Sequence, residues 1–126
     1  MDGRILVVDD EPDICAMIRD VLIDHFQHIE TANSAAEALA KLDKEAFDLI
    51  FLDIMMPDMT GMDFLKKIRS QKKQTPVVFL SASDTEDNFA KALLYGASDF
   101  LTKPFENEQL IRLATKMAQV GQLQKK

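Results

Sequence analysis

The chain has a single cysteine, Cys15, among its 126 residues, so no disulfide can form within it. A reducing compartment is the default expectation for such a chain. Cys15 lies in an apolar helical pattern with no His or Lys beside it in sequence, which reads as a buried structural thiol. No element carries a cluster of Lys and Arg, and the formal net charge is -6 with a pI near 4.8. Direct binding to nucleic acid is not expected of this domain, because a phosphate backbone demands a basic face. No apolar run approaches the roughly 20 residues that cross a bilayer. The start, Met1-Asp2-Gly3-Arg4, shows no apolar region of a signal peptide. A cytoplasmic protein with no membrane attachment is expected. Internal repeats, low-complexity stretches and internal linkers are also missing.

What is present is a globular composition, 47% hydrophobic and 29% charged, which argues against disorder. The length suits one domain with a proper core. Its expected span is 1–121. The polar end, 122–126, reads as a frayed tail or the start of a linker.

Short apolar runs recur at Ile5–Val8, Ile29–Ala32, Leu49–Leu52, Val77–Leu80 and Phe100–Thr102. Their near-continuous apolar character predicts strands buried on both faces. Helical stripes alternate with them: Ile14, Ile18, Val21 and Leu22; Ala35, Ala38, Leu39 and Leu42; Met62, Leu65 and Ile68; a weaker Phe89, Ala92 and Leu93; and Leu110, Leu113, Ala114 and Met117. Pro12 suits a first helical turn. Asn33 or Ser34 can cap the second helix, with Glu37 at capping-box spacing from Ser34. Thr60 or Gly61 opens the third, Ser83 or Asp84 the fourth, and Gly96 ends the fourth. Five βα units predict an α/β parallel sheet with helices on both faces and right-handed crossovers.

In such a sheet the carboxyl ends of the strands share one rim, and ligands bind there. Four strands end in polar groups: Asp9-Asp10, Asp53, Ser81 and Lys103. Adjacent carboxylates in one pocket disfavour full ionisation unless a cation joins them. Oxygen ligands with an incomplete protein shell suit Mg2+, which keeps several waters. Asp53, entering the loop Met55-Met56-Pro57-Asp58-Met59-Thr60-Gly61, is placed to attack phosphorus as a nucleophile. Ser81 can donate to a phosphoryl oxygen and Lys103 can pair with one. Each has a plainer reading alone: an acidic turn for Asp9-Asp10, a cap for Asp53 or Ser81, and a solvated surface charge for Lys103. The Lys103–Pro104 bond stays open between trans, which base rates favour, and cis.

Together, Asp9-Asp10, Asp53 with Met56-Pro57-x-Met59-x-Gly61, Ser81-Ala82 and Lys103-Pro104-Phe105 resemble the receiver domain of bacterial two-component response regulators. The likeness runs from about Arg4 to about Gln119. It implies a flavodoxin-like (βα)5 three-layer sandwich with strand order 2-1-3-4-5. It implies a Mg2+ site with side chains of Asp10 and Asp53, the backbone carbonyl of Met55, and Asp9 holding a metal water. Asp53 would be phosphorylated by a sensor histidine kinase or phosphotransfer protein, with Ser81 and Lys103 binding phosphoryl oxygens. Ser81 and Phe100 would form the switch, reshaping the face of the fourth helix, fifth strand and fifth helix. The domain would catalyse only its own phosphorylation and dephosphorylation. Met55 and Ser83 would flank the path of the hydrolytic water.

Two positions depart from the common pattern. Phe100 stands where Tyr is often found, and Ser81 where Thr is frequent; both bear on switch strength and leave the phosphoryl chemistry intact. Output would pass to a separate output protein, to a missing C-terminal effector domain, or through a homodimer formed on phosphorylation. A phosphohydrolase using Asp53 on small phosphate esters is the main rival. Such enzymes want a second acid two residues on, where this chain has Met55. A flavin carrier would want a Ser/Thr/Gly-rich loop after the first strand, where this chain has Asp9-Asp10-Glu11.

Overall fold

The computed structural model describes residues 3–81, 90, 93, 94 and 96–124. Five strands are present among them: β1 (Arg4–Val8), β2 (His28–Ala32), β3 (Leu49–Asp53), β4 (Val77–Ser81) and β5 (Asp99–Thr102). The helices are α1 (Pro12–Leu22), α2 (Ala35–Lys44), α3 (Gly61–Ser70) and the last, α4 (Asn107–Gln124). The helical pattern expected around Phe89 and Ala92, with its start at Ser83 or Asp84, lies outside the described residues.

All four strand pairings are parallel, in the order β2-β1-β3-β4-β5. The flavodoxin-like order expected from the resemblance is therefore the observed one. The sheet is sandwiched between two apolar clusters, and the alternation of strand residues assigns each to a face. Leu6, Val8, Ile50, Leu52, Val77 and Phe79 join Ala38, Leu42, Phe64, Leu65 and Ile68 on the α2–α3 side. Ile5, Val7, Leu49, Phe51, Val78, Leu80 and Leu101 join Ile18, Leu22, Leu110, Ala114 and Met117 on the α1–α4 side. Burial on both faces is why these strands read as unbroken apolar runs.

The helix starts follow from local chemistry. Pro12 opens α1, where its missing N–H has no partner to lose. Ser34 caps α2 by accepting the Glu37 N–H at 3.1 Å. The Glu37 carboxylate reaches back to the N–H of Asn33, one residue before the capping-box position. Thr60 caps α3 through the Asp63 N–H at 3.1 Å. Gly96 has a φ of 96°, a left-handed conformation that favours glycine.

Two expectations need correcting. Leu93 was expected on an apolar stripe but is 46% exposed, and Leu94 beside it is exposed too. Phe64 carries much of the α3 contact and is fully buried, while Met62 is only partly buried. The α3 stripe is thus broader than Met62, Leu65 and Ile68. Helix α4 runs on through Gly121 to Gln124. Gly121 is buried against the start of β3, and a Cβ there would overlap the Asp48 carbonyl. A helix-interior glycine costs about 1 kcal/mol, which this close approach offsets.

Candidate functional site

The parallel register brings the polar strand ends to one rim. Val8 pairs with Leu52, so Asp9 stands level with Asp53. Asp53 pairs with Leu80, and Ser81 with Thr102, so Ser81 and Lys103 each follow one step along. The strand order reverses between β1 and β3, the crevice where open α/β sheets place ligands.

Asp9 is fully buried. One of its oxygens accepts the Glu11 N–H at 3.0 Å and the other meets Lys103 Nζ at 2.8 Å. Lys103 Nζ also lies 4.0 Å from Asp53 Oδ1. Burial alone would pull the Lys103 ammonium down, but the Asp9 hydrogen bond and the Asp53 and Asp9 charges outweigh it and raise its pKa. The Lys103–Pro104 peptide is cis.

Asp53 is 8% exposed. Burial, and then the neighbouring Asp9 charge, push its carboxyl up to about 7, against the opposing pull of Lys103. The Met55 N–H donates to Asp53 Oδ1 at 3.4 Å. Asp10 is exposed at the mouth of the pocket. Oxygens of Asp9, Asp10 and Asp53 all lie within 4.8 Å of one another. Lys103 meets Asp9 and Asp53 while Asp10 adds a third carboxylate, so acids outnumber the ammonium in a partly desolvated place. An oxygen-only donor set of this kind fits Mg2+. Met55 is exposed beside it, on the loop where the metal reading needs a carbonyl.

Ser81 is buried at the end of β4, and its carbonyl accepts the Lys103 N–H at 2.7 Å. Phe100 pairs with Phe79, two residues before Ser81, so all three share one face of the sheet. Phe100 is partly buried and packs against the α2–α3 cluster. Ala82 and Ser83 lie outside the described residues.

Gly61 has a role that the sequence hinted at only through the loop pattern. A Cβ there would stand 2.6 Å from the Asp53 carbonyl and 2.8 Å from the Phe79 ring. Its N–H donates to the Ile54 carbonyl at 2.6 Å, closing the loop after β3 on itself. Two contacts were not foreseen. Asp58 accepts the N–H groups of Ala35 and Ala36, and these bonds lower its pKa. Asn33, expected as a helix cap, instead donates its side-chain amide to the Asp9 carbonyl at 3.1 Å. A turn residue after Pro57 and a polar residue before a helix were the only signals for them.

Such a fold and rim define a class: a small α/β domain with an acidic pocket built around one strand-end Asp and one Lys. The chain belongs to the response regulator receiver domain family, whose model matches residues 5–115. It is 39% identical over 108 residues to the transcriptional regulatory protein TrcR of Mycobacterium tuberculosis, covering 86% of this chain and 42% of TrcR. It is 43% identical over 122 residues to the alginate biosynthesis transcriptional regulatory protein AlgB of Pseudomonas putida, covering 96% of this chain and 27% of AlgB. The chain thus spans about half or less of the length of these curated relatives. Among solved structures, the receiver domain of a Francisella response regulator matches with a TM-score of 0.89 at 32% identity, covering 94% of this chain and 98% of that one. The chemotaxis response regulator CheY4 of Vibrio cholerae matches with a TM-score of 0.85 at 36% identity, covering 93% and 99%.

Proposed function

We propose that Asp53 is the phospho-acceptor of this receiver domain and that the domain works as a Mg2+-dependent switch. The observation that carries the reading is the Asp9–Lys103–Asp53 arrangement, in which a buried strand-end carboxylate faces one shared ammonium across an acid-rich pocket. Asp10, Asp53 and the Met55 carbonyl would hold Mg2+, with Asp9 on a metal water. When bound, the metal neutralises charge that would otherwise repel a phosphoryl donor. Asp53 attacks phosphorus, the bond to the donor breaks, and an aspartyl phosphate forms. Lys103 then faces the new phosphoryl oxygens, and the Ser81 hydroxyl donates to one of them.

The switch follows from shared placement. Ser81 and Phe100 lie on one face of the sheet, so movement of Ser81 toward a phosphoryl group changes the space open to Phe100. A shift from 1:99 to 99:1 takes about 5.5 kcal/mol, the order of a few charge-assisted hydrogen bonds. The surface affected is that of β5 and α4. The phosphoryl donor is a sensor histidine kinase or phosphotransfer protein, and the setting is cytoplasmic. Among the described residues no helix is long and apolar enough to cross a membrane. The curated relatives are longer transcriptional regulators, which supports an effector domain as the output, with a homodimer as one way to drive it. The domain is taken as 1–121, with 122–126 as a C-terminal tail or the start of a linker.

Beryllium fluoride, a phosphoryl mimic, tests this directly when titrated with Mg2+ and followed by amide NMR. Shifts at Asp53, Ser81, Lys103 and Phe100 are expected; saturation elsewhere, or no binding, overturns the reading. Replacing Met55 with Glu is expected to change the aspartyl phosphate lifetime about tenfold while leaving the yield near that of the parent, since this side chain borders the water's path. An unchanged decay rate counts against that role.

A further inference from the structure

We infer that the start of α2 is a brace between the two loops of the acidic pocket, with Asn33 and Asp58 as positioning residues for divalent-cation binding. The inference rests on the Mg2+ reading above and deepens it. The acidic donors come from separate loops: Asp9 and Asp10 follow β1, whereas Asp53 and Met55 lie at the end of β3 and in its loop. Three residues of the short stretch Asn33–Ala36 together reach both. The Asn33 side-chain amide donates to the Asp9 carbonyl at 3.1 Å. The N–H groups of Ala35 and Ala36 donate to the two oxygens of Asp58, at 3.2 and 3.1 Å.

These contacts use groups that needed partners anyway. The first N–H groups of a helix have none within it, and a carboxylate is favourable there. The geometry then does a second job. The loop from Ile54 to Gly61 is already pinned at its ends by the Gly61 N–H on the Ile54 carbonyl. Asp58 pins its middle. Mg2+ asks for near-ideal octahedral geometry at about 2 Å, so small changes in loop separation are felt as lost affinity.

Asp58 touches no reacting atom, so its removal should act on metal affinity and not on the chemical step. Mg2+ titration of the full chain by amide NMR, with the acetyl phosphate labelling rate at saturating Mg2+, tests this. Asp58→Ala and Asn33→Ala are expected to weaken Mg2+ binding about tenfold, the scale of groups that orient metal ligands, with labelling at saturation near that of the parent. Asp58→Asn keeps one of the two acceptor oxygens and is expected to recover only part of the affinity. Ser34→Ala removes a cap from the same helix without touching either loop, so it should lower the melting temperature and leave Mg2+ affinity unchanged. Parent-like affinity in Asp58→Ala, or equal weakening in Ser34→Ala, overturns the brace. Asp10→Asn separates the two readings: if it and Asp53→Asn bind Mg2+ like the parent, the metal site itself is misplaced and the brace falls with it.

Discussion

The two rims of the sheet carry similar ingredients and use them in opposite ways. At the carboxyl rim, buried Asp9 and Asp53 face the ammonium of Lys103, and Asp10 adds a third carboxylate beside them. At the amino rim, Glu30 and Glu45 flank His28 Nε2 at 3.7 and 3.5 Å. There Lys41 holds the other oxygen of Glu30 and Arg4 the other oxygen of Glu45. Each acid of that second cluster already has a cation, and all the partners are partly exposed. Grouped acids therefore do not mark a site. Burial without enough counter-charge does, because only there does a cation or a changed charge state alter the energy substantially.

The largest expected difference between the rims is chemical. Asp53→Asn should abolish labelling by acetyl phosphate with Mg2+, whereas Glu45→Gln should label like the parent. Phosphoprotein mass spectrometry reads both, and full labelling of Asp53→Asn would place the acceptor elsewhere.

Next comes Lys103→Ala, which leaves Asp9 buried without its counter-charge. A cost of about 3 kcal/mol is expected, or about 10 °C in melting temperature. The variant should still accept the phosphoryl group but signal poorly. A normal phosphorylation-induced shift on the β5–α4 surface would show that Lys103 has no part in the switch.

The pH dependence is the third contrast. Asp53 holds its proton up to about pH 7 in the fold, against an ordinary value of 3.8. Between those values the folded state binds more protons than the unfolded one, so stability falls as pH rises from about 4 to about 7. The loss is on the order of 4 kcal/mol and complete above the folded value. Without Mg2+, Asp53→Asn should remove this slope and be the more stable form at pH 8. Urea unfolding across the range checks it, and parallel slopes in parent and variant would clear Asp53 of the effect.

The smallest effect belongs to the amino rim. Arg4→Ala should cost less than about 1 kcal/mol, and less still at high salt, as exposed ion pairs do. A loss matching that of Lys103→Ala would erase the distinction between the rims.

Much of this was readable from the chain. Leu49–Leu52 and Val77–Leu80 announced themselves as strands because both faces of the sheet are covered. Asp9, Asp10, Asp53, Ser81 and Lys103 could be grouped because parallel topology sends every strand end to one rim. What stayed hidden depends on distant partners. Asn33 looked like a helix cap, and nothing local says that its amide meets Asp9, 24 positions away. Asp58 looked like a turn residue, although its partners are 22 and 23 positions earlier. Phe64 and Leu93 show the limit of helical periodicity. A stripe gives the period, but which residues end up buried depends on what packs against the helix, and Leu93 remains exposed.

The most direct measurement is to incubate the chain with acetyl phosphate, with Mg2+ or with EDTA, trap the product by borohydride reduction and map the modified residue. The expected result is one modification, at Asp53, only when Mg2+ is present. Modification at another residue, or equal labelling in EDTA, would contradict an Asp53-centred, Mg2+-dependent switch.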